Sequence, residues 1–274
     1  MDPLLLMVLL FIAIGAGIIG ALFGLGGGIV FVPVLTILYG MDATAAAAAS
    51  LVGIVATSTG SASGFVRKGL TNIRFGMLLE ITTTIGAAIG AVVATMLANW
   101  ILLVLFSTVM IISGVKMATS PERSVADSAS EGPMTFRYSD PASGVEDKPY
   151  EIKNVKSGML LCTFAGSVSS MTGVGGGSLK VPLMNIYMHV PLKVATATSS
   201  YMIGITAFSG AIVYLIQGAI TYDVAGTVAI GAYIGAVLGT SISNKTQTSS
   251  LKKYISVVFF VIAGIMLLKA GGYL

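Results

Sequence analysis

Charge is scarce in this chain: Asp, Glu, Lys and Arg together make up 9% of its 274 residues, against about a quarter in soluble domains. With 55% of the residues hydrophobic, no soluble fold can hide so much apolar surface. One cysteine, Cys162, excludes an internal disulfide and a thiolate metal cluster. Inside an apolar segment it reads as a small core residue. One histidine, His189, and one mid-helix acid offer little material for a nucleophile and base or for a metal site. No cofactor, metal or catalytic residue is expected. The net charge of +4 does not point to nucleic acid, because the basic residues form no single patch interleaved with aromatics.

What is abundant is apolar sequence in membrane-length runs. Residues 4–22, 43–66, 75–98, 101–118, 158–172, 194–216, 223–243 and 254–270 are apolar and nearly charge-free. About 20 helical residues cross a hydrocarbon core of roughly 30 Å. All eight are read as membrane helices, and their many Gly, Ala, Ser and Thr residues suit close helix contact in lipid. The alternating ten-residue segments of a β-barrel are missing. The first run has no basic residue before it and no convincing cleavage site after it, so it is kept as a helix rather than a secretory signal.

The chain repeats itself. Gly24-Leu25-Gly26-Gly27-Gly28 recurs as Gly173-Val174-Gly175-Gly176-Gly177 at an offset of 149. The same offset carries Val32-Pro33 onto Val181-Pro182, Ser50 onto Ser199, and Gly69, Gly86 and Gly90 onto Gly218, Gly235 and Gly239. Residues 1–118 and 157–274 are therefore two copies of one helical unit. Residues 119–156, with seven acidic and five basic residues, form a hydrophilic linker outside the bilayer. Its stretch from Tyr150 to Val155 alternates enough for a short strand, which needs a partner.

Lys and Arg near helix ends mark the cytoplasmic side. Arg67, Lys68 and Arg74, the basic residues of the linker, and Lys245, Lys252 and Lys253 can all lie inside together. The equivalent loops of the opposite copy, Gln217–Tyr222 and the turn at Asn99-Trp100, carry no Lys or Arg. A charge bias that reverses between copies is the signature of an inverted-topology repeat, with the substrate site near the midplane. The expected fold is an all-α polytopic protein of the cell membrane, with a cytoplasmic linker and both termini outside. Each copy holds a Gly-rich broken or re-entrant helix pair and three transmembrane helices.

After each Gly run the apolar segment, Ile29–Tyr39 or Ser178–His189, is too short to span the bilayer. Unwound backbone at membrane depth must line protein or a water-filled cavity. The free N–H groups and positive dipole end of the following half-helix suit an anion, with Pro33 and Pro182 tolerable in or near the first turn. Gly26, Gly27, Gly28, Gly175, Gly176, Gly177 and Ser178 are thus candidate anion contacts. The alternative is that these glycines only allow tight packing.

Lys180 strengthens the anion reading, because an ammonium in an apolar stretch is expensive unless it faces a cavity or a partner; the alternative is snorkelling to an interface. Glu80, the one acid well inside an apolar run, is a candidate coupling-proton carrier, or else half of an ion pair with Arg74 or Lys68 near the inner interface. Ser50 and Ser199, with the neighbouring Thr57, Ser58, Thr59, Thr196, Thr198 and Ser200, could complete an anion's hydrogen bonds or simply bond to helices. His189 reads as an interfacial residue.

The twin motifs Gly24–Pro33 and Gly173–Pro182, and the stretch Val-Pro-Leu-Lys-Val-Ala-Thr-Ala-Thr-Ser-Ser at 190–200, resemble the TauE/SafE family of sulfite and organosulfonate exporters, also described as a 4-toluene sulfonate uptake permease family. The resemblance covers both halves. It implies a secondary transporter of sulfite, sulfonates or related sulfur-containing anions, driven by a proton gradient. Thiosulfate handling by central cysteines, seen in a distant relative class, is disfavoured because Cys162 stands alone. A channel or carrier for another small anion, or a membrane receptor or assembly protein, is the alternative. Expected partners are a small anionic substrate and the lipid bilayer.

Overall fold

A computed structural model describes residues 3–119, 134–140, 145–242 and 249–273. Its helices are α1 (Pro3–Phe23), α2 (Gly28–Ile37), α3 (Ala43–Arg67), α4 (Ile73–Met96), α5 (Asn99–Thr119), α6 (Val155–Thr172), α7 (Gly177–Pro182), α8 (Leu192–Ile216), α9 (Tyr222–Ile242) and α10 (Ser249–Ala270). Helices occur at all eight predicted spans, and five of them (α1, α3, α4, α8 and α9) are long and apolar enough to cross a membrane. The fold is an all-α polytopic membrane protein. Lys245 lies outside the described residues.

Small residues face inward and large ones outward. Ala13, Ala16, Ala46, Ala48, Ala49, Ala91, Ala94, Ala207 and Ala232 are core, whereas Phe11, Ile81, Ile85, Ile89, Phe208, Ile230 and Val237 are exposed. Such a surface suits lipid, and the small residues let the helices approach closely.

The two sets of five helices pack reciprocally. α1 lies against α9 as α6 lies against α4, and α3 touches α9 as α8 touches α4, while α3–α8 and α5–α10 pair across the centre. The offset of 149 holds atom by atom. A Cβ on Gly86 of α4 would sit 2.0 Å from the carbonyl of Thr163, and one on Gly235 of α9 would sit 2.0 Å from the carbonyl of Ile14. Only glycine permits helix backbones to meet so closely.

Each Gly run joins a pair of helices that folds back on itself. Tyr39, just past α2, donates its hydroxyl to the carbonyl of Leu5 near the start of α1, at 2.6 Å. In the second set, Asn154 before α6 donates to the carbonyl of Tyr187, and Lys153 N–H donates to Met188, both at 3.1 Å. Both ends of each pair therefore lie at one end of the bundle. Pro33 and Pro182, expected in or near the first helical turn, fall just past it, as the sixth residue of α2 and of α7. Proline deletes an intrahelical bond there. α2 runs on to Ile37, but α7 ends at Pro182 and continues as a π-helical turn, Leu183–Tyr187.

The linker contains an antiparallel hairpin, β1 (Thr135–Asp140) and β2 (Val145–Glu151), with Phe136 opposite Tyr150. The strand anticipated from Tyr150 to Val155 ends earlier, since α6 starts at Val155. The hairpin docks on the α3–α4 loop through Asn72 Nδ2, which donates to Tyr150 Oη at 2.8 Å. Lys68 Nζ, at the end of α3, donates to the carbonyl of Thr240 near the end of α9. At the other end of the bundle, Asn99 Oδ1 accepts from Ala43 N–H at 2.7 Å, and Lys269 donates to the carbonyl of Thr36.

Candidate functional site

The two Gly runs meet. Gly24, Gly26 and Gly27 have φ of 67°, 77° and 83°, and Gly173, Gly175 and Gly176 have 68°, 88° and 70°. These left-handed conformations repeat position for position and are open to glycine without steric cost. A Cβ on Gly28 would lie 2.2 Å from the carbonyl of Gly173, and one on Gly177 would lie 2.1 Å from the carbonyl of Gly24. Gly26 and Gly175 both face Ile54 and Ile203, themselves related by the offset. Residues 24–28 and 173–177 are buried throughout.

Ser50 and Ser199 brace this junction. Ser50 Oγ donates to the carbonyl of Gly173 at 2.6 Å, and Ser199 Oγ donates to that of Gly24 at 3.4 Å. Most other hydroxyls singled out in sequence bond within the protein. Thr57 and Thr59 return to their own helix, Ser200 bonds Thr196, Ser58 bonds Ser200, and Thr198 accepts from the Asn72 amide.

Beyond the junction the two copies differ. Lys180, on α7, is fully buried, and its ammonium meets Glu80 Oε2 of α4 at 3.4 Å. Thr206 of α8 links them, with its hydroxyl 2.5 Å from Lys180 Nζ and 2.5 Å from Glu80 Oε1. Thr84 donates to the same carboxylate oxygen at 3.2 Å. Two alternatives are thereby corrected. Lys180 does not snorkel to an interface, and the partner of Glu80 is Lys180 rather than Arg74 or Lys68. Glu80 sits seven residues into α4, about 10 Å from the hairpin end at 1.5 Å per residue, too deep for the loop cations.

A buried hydroxyl borders this cluster without a hydrogen-bond partner among the described residues, that of Ser169 of α6; Ser178 of α7, two residues before Lys180, is likewise buried and unpartnered. A Cβ on Gly176 would fall 3.0 Å from Ser169 Oγ and 3.6 Å from Lys180 Cε, which places that hydroxyl and the lysine stem on the same bend. A buried polar group left unpaired is costly, and a missing partner is one explanation for it. At the positions equivalent to Ser169, Ser178, Lys180 and Glu80 stand Gly20, Ile29, Phe31 and Ala229. The first bend is therefore apolar, and Phe31 packs on Gly27 and Gly53 where the second copy has its lysine.

Ser169 and Thr206 were not distinguished in the sequence. Ser169 lies one helical turn before Gly173, a spacing that could have marked it; Thr206 carries no motif. His189 is exposed at the end of the π turn, with φ of 62° where its counterpart Gly40 has 63°. No group of three or more potential metal ligands occurs among the described residues. An open cavity of about 330 Å³ lies outside the bundle, between the α3–α4 loop and Phe136, Tyr138 and Tyr150 of the hairpin. It includes none of the buried cluster.

Residues 9–266 match the family described as sulfite exporter TauE/SafE. The chain belongs to this family. Similar proteins include a probable membrane transporter protein of Bacillus subtilis, YunE, which is 29% identical over 93% of this chain and 94% of its own. A probable membrane transporter protein of Methanocaldococcus jannaschii is 26% identical over 97% of this chain and 96% of its own. The sulfite exporter TauE/SafE family protein 5 of Arabidopsis thaliana is 30% identical over 38% of this chain and 24% of its own. No solved structure matches. The chain is a multi-pass membrane transporter of the TauE/SafE family, and the family and these relatives are described as transporters rather than enzymes.

Proposed function

We propose that the chain is a secondary transporter that exports sulfite or an organosulfonate, by alternating access around the junction of the two Gly bends, and is coupled to protons. Two inverted repeats, 1–118 and 157–274, move against each other while the site between them stays fixed. The observation that carries this reading is the second bend, where Lys180 and the unpartnered hydroxyl of Ser169 meet at a left-handed Gly run.

An anion held there takes a hydrogen bond from Ser169 and charge from the ammonium, and the first-turn amides of the half-helices add their dipoles. Charge-assisted hydrogen bonds are about twice as strong as neutral ones. Ile54 and Ile203 face both bends, so the repeats must part around them for the anion to enter from either side.

The basic residues support the orientation. Arg67, Lys68 and Arg74, the linker hairpin and the end of α9 gather at one end of the bundle, which is assigned to the cytoplasm. The pair α1–α2 then re-enters from outside and α6–α7 from inside, and both termini lie outside.

Purified protein in liposomes tests the proposal. Sulfite or sulfonate flux above protein-free controls, with and without a pH gradient, is expected; the absence of both ends the substrate assignment. Retained flux in Lys180→Ala at unchanged affinity would remove the lysine from the site.

A further inference from the structure

The charge count at the second bend dictates what must travel with the anion. As it stands the cluster is neutral: one ammonium, Lys180, and one carboxylate, Glu80, 3.4 Å apart and buried to 0% and 3% exposure. Thr206 Oγ1 lies 2.5 Å from both, so the carboxylate already holds the place beside the ammonium that an incoming anion would take. Charged groups face the pair from few directions. Cys162 of α6 is buried, and Tyr201 of α8 turns its hydroxyl to Met77. No second cation is within ion-pair distance of Glu80 among the described residues. The mirrored position is apolar, with Phe31 and Ala229, so the other copy supplies no compensating charge.

Adding a monovalent anion beside Lys180 with Glu80 ionised would leave a net negative charge in a buried site, next to a carboxylate. An uncompensated buried charge is strongly disfavoured. One proton, passed from water to a Glu80 oxygen as the anion arrives, restores neutrality and frees the ammonium. When the anion leaves, the proton returns to water on that same side and the Glu80–Lys180 pair re-forms. The paired state lets the empty carrier cross without net charge.

Resting on the function proposed above, we infer that Glu80 is the obligatory counter-ligand of Lys180, so that one proton and one monovalent anion bind together and move in the same direction as an electroneutral unit. A proton gradient pointing inward then favours uptake, and export runs on the anion's own outward gradient.

The test uses the full chain in liposomes with two probes, methanesulfonate, whose charge is constant across the working pH range, and sulfite. Acid outside should drive anion accumulation inside, with no response to an imposed membrane potential. Methanesulfonate affinity should weaken about tenfold per pH unit on the alkaline limb, the slope of one linked proton. Glu80→Gln, which keeps the hydrogen-bonding shape, should flatten that slope and lose gradient-driven accumulation. Accumulation driven by alkaline outside, a potential-driven flux, or wild-type methanesulfonate binding that ignores pH would each overturn the inference and leave the transporter assignment standing. The wild-type measurements decide the point even if Glu80→Gln fails to fold. Absence of binding and flux for both probes at every pH would instead overturn the substrate assignment, and this inference with it.

Discussion

Removing one member of the Lys180–Glu80 pair should be far more harmful than removing both. Each group is almost wholly buried and each is the other's countercharge. Breaking a buried ion pair at one partner costs about 3–5 kcal/mol, whereas replacing both by apolar groups of similar volume is often neutral. Lys180→Met and Glu80→Met should therefore each destabilise by about 3–5 kcal/mol. The double variant should stay within about 2 kcal/mol of the wild type, because its residual cost is the hydrogen bonds of Thr206 and Thr84, about 1 kcal/mol each. Thr206 keeps a bond to the carbonyl of Met202 at 3.2 Å, which softens that loss. The coupling energy from the cycle is then several kcal/mol. Equilibrium unfolding in mixed micelles, followed by circular dichroism, measures all four proteins. A double variant that loses the sum of the two singles, or singles that each lose less than about 1 kcal/mol, would refute the pairing.

Two further perturbations probe other parts of the molecule. Gly86→Ala and Gly235→Ala each force a methyl to 2.0 Å from a carbonyl of the facing helix, so both should destabilise by at least about 1–3 kcal/mol and by similar amounts; a thermal melt that left either unchanged would break the reciprocal packing. Tyr150 of the hairpin has its phenol pushed up to about 12, chiefly by burial, against the lowering effect of its bond from Asn72. Its neutral form is the one favoured by docking, so the stability it contributes is complete below about pH 10, the ordinary phenol value, and is lost as pH rises through about 12. Tyrosinate absorbance should lose a late-titrating phenol in Tyr150→Phe; an unchanged titration would undo the docking of the hairpin.

The architecture was legible because its determinants are local. Apolar runs set the helices, and the offset of 149 exposed the duplication and the two bends before any coordinate was known. Their meeting is a tertiary fact, seen in the approach of Gly28 to Gly173 and of Gly177 to Gly24. What sequence left open was chemistry that breaks the repeat. Lys180 and Glu80 stand 100 residues apart on helices with no shared motif, and charge alone suggested the loop cations as partners for Glu80. Thr206 looked like any hydroxyl in a membrane helix, and Ser169 like a packing residue, until the second bend brought them to the lysine. Ser50 and Ser199, read in the sequence as hydroxyls for an anion, donate to the carbonyls of Gly173 and Gly24 and brace the bends. The π turn after Pro182 could not be anticipated either, because Pro33 in the same position leaves an ordinary helix.

Calorimetric titration of the Ser169→Ala variant with sulfite tests the location of the site most directly, since it deletes a hydroxyl that bonds to nothing else in the described residues. The account predicts unchanged stability and affinity weakened about tenfold or more, as expected for one lost bond to a charged ligand. Wild-type affinity in that variant would contradict a binding site at the second bend.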